Sequence, residues 1–117
     1  MGAEGTHVLN DVIVDTNYDI PWAGFFEAAS LDIQDGNLNS YGGSDSITIT
    51  GDLTVGNGTD AAALTYTSDS NGFHDQKFGS VLINANGTLN GSNQTTTITN
   101  EKSGHAWKNN GGTFTHN

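Results

Sequence analysis

The chain has 117 residues, enough for one domain with a single modest core, and carries thirteen acidic residues against three lysines for a net charge of −10. That balance excludes nucleic-acid and anionic-membrane binders, which need a basic footprint. Sixteen Gly, fifteen Thr, fourteen Asn and nine Ser, with one Pro and no Cys, exclude a helical bundle, a disulfide scaffold and a thiolate metal site.

Met1 to Thr6 contain neither a basic region nor an apolar one, so no signal peptide is visible, and no apolar run is long enough to span a membrane. Val12-Ile13-Val14 predicts an early strand. The stretch from Asp19 to Ala29 is the most apolar and holds the only Pro. It predicts one or two helical turns from Pro21 to Ala29. Trp22, Phe25 and Phe26 would then form an aromatic cap over whatever follows. The expected division is a strand and capping segment over 1–30 and a regular body over 31–117.

In that body, short runs with strand-like alternation begin at Leu31, Ile47, Leu64, Val81, Thr96 and Gly112, in steps of about 17 residues. A second apolar series, Leu38, Val55, Phe73, Leu89 and Trp107, keeps nearly the same step. Turn formers punctuate the intervals: Asp35-Gly36-Asn37, Gly56-Asn57-Gly58, Asn71-Gly72, Asn86-Gly87 and Asn110-Gly111-Gly112. The pattern predicts an all-β, single-stranded parallel β-helix, or solenoid, with rungs of about 17 residues. Six rungs would make a rod roughly 25–30 Å long. The alternative is an antiparallel β-sandwich, whose short strands and frequent turns look similar. Alternation places Leu31, Ile33, Ile47, Ile49, Leu64, Tyr66, Val81, Ile83, Ile98 and Phe114 inside. A strand at Thr113–Thr115 without a following cap predicts continuation into a longer chain, a stacking partner, or end-to-end self-association.

The outward positions of the same frame are Asp32, Gln34, Thr48, Thr50, Thr65, Thr67, Leu82, Asn84, Thr97, Thr99, Thr113 and Thr115. Eight of these twelve are Thr. The predicted ligand face is therefore Thr48, Thr50, Thr65, Thr67, Thr97, Thr99, Thr113 and Thr115, interrupted by Leu82 and Asn84. The competing explanation is strand chemistry alone, because Thr favours exposed strands and stacks well on itself.

Ile47 to Thr59 (ITITGDLTVGNGT) and Gly79 to Gly91 (GSVLINANGTLNG) resemble rung repeats of secreted bacterial and phage β-helix proteins, adhesins and fibres among them. The Thr-x-Thr columns are similar to those of solenoidal ice-binding proteins. The first resemblance implies a non-enzymatic extracellular or virion- or cell-surface segment, a rigid spacer or weak glycan binder. The second implies an antifreeze module, with ice as the partner of the eight threonines.

A third reading is a carbohydrate-active β-helix domain. Such chemistry needs paired carboxylates, or a base with a cationic partner, and the chain offers no Arg and no adjacent acid pair. No cofactor is expected. Asp69, Asn71 and Asp75 form an oxygen-rich cluster that could take calcium, against the simpler explanation of turn chemistry. Four Asn-x-Ser/Thr sequons, at Asn57, Asn86, Asn90 and Asn93, suit a secreted protein.

Overall fold

The computed structural model describes residues 5–20, 24–41, 46–67, 75–91, 95–99 and 104–116. All regular structure in them is β. The strands are β1 (Gly5–Asp15), β2 (Tyr18–Ile20), β3 (Gly24–Tyr41), β4 (Ser46–Val55), β5 (Ala62–Thr67), β6 (Gln76–Asn84), β7 (Gly87–Gly91), β8 (Thr96–Ile98), β9 (Trp107–Asn110) and β10 (Thr113–His116). They form one curled sheet with every strand pairing parallel; among the described residues the one antiparallel contact is an isolated bridge between Asn84 and Gly111. Parallel ladders are incompatible with the antiparallel sandwich. Gly24–Ala29, where helical turns were expected, belongs to β3; Pro21, Trp22 and Ala23 lie outside the described residues.

The chain crosses the sheet in five passes. Each pass runs first through one limb, then turns and runs through a second. β1, residues 24–33 of β3, β4, β6, and then β8 with β9, stack in the first limb. β2, residues 36–41 of β3, β5, β7 and β10 stack in the second. Four consecutive passes place a left-handed residue at the turn between limbs: Gly36, Gly56, Asn86 and Gly111, with φ of 76°, 93°, 62° and 93°; the turn at Gly56 holds a second, Gly58, with φ of 90°. These are the turn formers read from the sequence. Gly87, just past the corner, has a second constraint: a Cβ there would run into the carbonyl of Val55 in the previous pass.

A second bend lies inside the first limb. Pairing slips between Ala28 and Leu31 and again between Ile49 and Asp52, so the strand admits extra residues and changes direction. Ser–Asp contacts line this bend. Ser30 Oγ donates to Asp11 Oδ1 at 2.7 Å, and Ser80 Oγ to Asp52 Oδ1 at 2.5 Å.

The curl encloses one core. Leu31, Ile33, Leu38, Ile47, Ile49, Leu53, Val55, Leu64, Phe78, Val81, Ile83 and Leu89 are buried within it. Each such aliphatic or aromatic side chain contributes about 1.5–3 kcal/mol on leaving water. Most of the predicted interior set lies there. Ile98 is partly buried, Phe114 stays 40% exposed in the last pass, and the side chain of Tyr66 lies outside the described residues. Of the proposed aromatic cap, only the side chain of Phe26 is described, and it is buried.

The rung length of 17 is corrected by the pairing. Val14 lies beside Ile33, 19 residues on; Leu53 lies beside Val81, 28 on; Leu64 lies beside Leu89, 25 on. The runs at Ile47 and Leu64 occupy the two limbs of one pass, so the step between them is not a turn of the stack. Five passes replace the expected six. The radius of gyration is 12.9 Å and the extents are 34 × 27 × 26 Å, so the particle is nearly as broad as it is tall rather than a rod.

Candidate binding face

The eight predicted threonines divide between the limbs. Thr48 and Thr97 lie in one outward row of the first limb, but Lys77 stands between them and Glu27 precedes them. Thr50 and Thr99 sit at the bend, where their hydroxyls approach the carbonyls of Ala28 (3.5 Å) and Phe78 (3.3 Å). Thr65, Thr67, Thr113 and Thr115 belong to the second limb, in β5 and β10. Thr67 pairs with Tyr41 through its backbone, and its side chain lies outside the described residues. The threonines therefore do not form two continuous columns on one face. Leu82 interrupts a different row, between Thr54 and Lys108, and Asn84 donates from Nδ2 to the Gly56 carbonyl at 2.8 Å.

The second limb carries the more uniform surface. Its first outward row is Asn37, Ala63, Thr88 and Thr113; its second is Asn39, Thr65, Asn90 and Thr115. None of these eight side chains is charged, in a chain of net charge −10. Asp19 stands ahead of the second row as the partner of Asn39. The outward rows of the first limb instead include Asp32, Glu27, Lys77 and Lys108.

Hydrogen bonds hold the neutral rows in place. Asn90 Nδ2 donates to Thr65 Oγ1 at 3.4 Å, and Thr65 Oγ1 to Asn37 Oδ1 at 2.9 Å. Asn37 Nδ2 continues to Asn39 Oδ1 at 2.6 Å, and Asn39 Nδ2 to Asp19 Oδ1 at 2.8 Å. A shallow groove beside the rows is lined by Asn17, Gly36, Asn37, Ala63, Asn86 and Thr88. The outcome is a pre-ordered surface of amides, hydroxyls and methyls, able to donate and accept without desolvating an ion.

Five of its members, Asn37, Asn39, Ala63, Thr88 and Asn90, escaped the sequence reading. The signal exists in GNLN, AALT, GTLN and GTFT, starting at Gly36, Ala62, Gly87 and Gly112 in steps of 26, 25 and 25. It was hidden by the stronger 17-residue spacing of runs that mix the two limbs.

Two further candidates complete the molecule. Of the calcium cluster, Asp69 and Asn71 lie outside the described residues and Asp75 is exposed; among the described residues no three acidic or histidine side chains converge. Among the described residues, a groove on the first limb is lined by Glu27, Thr48, Ile49, Thr50, Lys77 and Thr99. Comparisons with protein-family models, with curated proteins and with solved structures returned no match.

Proposed function

We propose that the curled parallel sheet is a stretch of β-solenoid and serves as a non-enzymatic, extracellular-type scaffold that binds neutral glycans weakly along its second limb. The observation carrying this reading is the pair of uncharged Asn/Thr rows on an otherwise acidic chain. Sugar hydroxyls both donate and accept, as do amides and Thr hydroxyls, and a polymer can follow a repeated row. The face presents no described aromatic ring for stacking, so individual contacts are modest and affinity comes from repetition. A cell-surface or virion-surface setting, within a fibre- or adhesin-like protein, suits the composition.

Retention on immobilised neutral polysaccharides tests this. The doubly substituted Thr88→Glu, Thr115→Glu chain should bind at least about tenfold more weakly, a change of ~1.4 kcal/mol. Thr97→Glu, on the first limb, should bind like the unmodified chain. Equal binding by all three, or none by the unmodified chain, would remove the glycan reading.

A second reading, ice binding, is favoured by the same rows, because Thr88 and Thr113 stack directly and Thr65 and Thr115 flank Asn90. The face it would use is then the second limb rather than the eight threonines together. Thermal hysteresis in the unmodified chain, lost on Thr88→Tyr, supports it. No ice shaping at millimolar protein would eliminate it.

A further inference from the structure

The two ends of the stack differ in a systematic way. Among the described pairings, β1 and β2 bond only to β3, leaving the outer edge of the first pass without a strand. β8 and β9 bond only to β6, and β10 only to β7, so the last pass has the same open edge on its far side. Natural edges are usually blunted by Lys, Pro or a short strand. β1 is 11 residues long and has neither residue, and it exposes Val8 and Ile13 at 66% and 65%.

Apolar surface is concentrated at both ends. At the first pass a cavity opens between Leu9, Val12, Val14, Tyr18, Phe26 and Leu38. At the last, Trp107 and Phe114 meet edge to face with centroids 4.8 Å apart, 38% and 40% exposed. Charge is opposed as well. The described residues of the first pass include Asp11, Asp15 and Asp19 with no Lys; those of the last include Lys108 with no acid.

We infer that the two ends bind each other, so that a second copy of this chain stacks head to tail on the first and continues the parallel sheet. Continuing the register supports this row by row. Trp107 ends the row Val12–Leu31–Leu53–Val81, so the next copy's Val12 would follow it. Phe114 ends the row Leu38–Leu64–Leu89, which begins at Tyr18, so the next Tyr18 would cover it. Lys108 ends the row of Ile13, placing it between the incoming Asp11 and Asp15, diagonal neighbours about 7–8 Å away across a ladder. The contact is heterologous and does not close, so the product is a linear series of increasing length.

Sedimentation velocity on the full chain tests this, with far-UV circular dichroism confirming that each variant is folded. The unmodified chain should grow from 12.2 kDa into a series of larger species as concentration rises through the ~10–500 μM range. Ile13→Lys blocks the head and Phe114→Lys the tail; each should remain monomeric. Their equimolar mixture should form a dimer of two chains and nothing larger, because one head and one tail remain intact. Val8→Lys replaces Ile13→Lys, and Trp107→Lys replaces Phe114→Lys, should either fail to fold. A chain that stays monomeric throughout would overturn the inference, and so would blocked variants that still grow or a mixture that does not pair. Mass is the readout, so the result is separable from the fate of the glycan reading.

Discussion

Thr65 Oγ1 donates to Asn37 Oδ1 at 2.9 Å, across two neighbouring passes and 28 residues of sequence. That bond is one link in a chain that runs in a single direction, from Asn90 through Thr65, Asn37 and Asn39 to the carboxylate of Asp19. Each member donates toward the next, so the dipoles align and each bond polarises its neighbour. Asp19 accepts at the end. The neutral face thus has one ionic terminus, at the first pass.

Thr65→Val keeps the shape of the side chain while deleting both its donor and its acceptor. Urea unfolding should show a loss of about 1 kcal/mol, with Asn90 and Asn37 each missing a partner. Thr113→Val, at an exposed position in the last pass, should stay within about 0.5 kcal/mol. Equal losses would mean that the network contributes nothing beyond strand propensity.

Ile49→Asp and Ile83→Asp should each abolish the folded circular dichroism spectrum. Both side chains are fully enclosed, and an unpaired charge there costs several kcal/mol, a large part of a small domain's stability. Thr50→Asp should be mild, because the residue is exposed at the bend. Similar behaviour of the three variants would contradict the assignment of faces.

Gly87→Ala should destabilise more than Gly58→Ala. At Gly87 the added methyl meets the backbone of Val55 in the previous pass, which cannot yield without disturbing the ladder. At Gly58 there is open space and the cost is only conformational, about 1 kcal/mol for a left-handed position with φ of 90°. Thermal unfolding midpoints of the two variants provide the comparison; the reverse order would refute close stacking at the corner.

Gln76→Leu should leave stability unchanged or raise it. Gln76 is 1% exposed; its Oε1 accepts from Thr96 Oγ1 at 2.9 Å, but its buried Nε2 finds no partner among the described residues. An unsatisfied buried donor costs about 1–3 kcal/mol, which an apolar side chain of similar size removes. A clear loss on urea unfolding would show that the amide makes a needed contact.

Alternation along single strands was legible without any coordinates. Ile47, Ile49, Leu64, Val81 and Ile83 had to face one way and Thr48, Thr50, Leu82 and Asn84 the other, because a strand's side chains alternate whatever it pairs with. The corners were legible for a similar local reason: Gly36, Gly56, Asn86 and Gly111 suit left-handed backbone that bulkier residues avoid. Neighbours were a different matter. Leu53 finds Val81 at 28 residues and Val14 finds Ile33 at 19, because the segments joining successive passes differ in length while the strand spacing does not. No local rule carries that information. An alternating strand fits against any other alternating strand, so which threonines share a face was decided by the register that buries one common core.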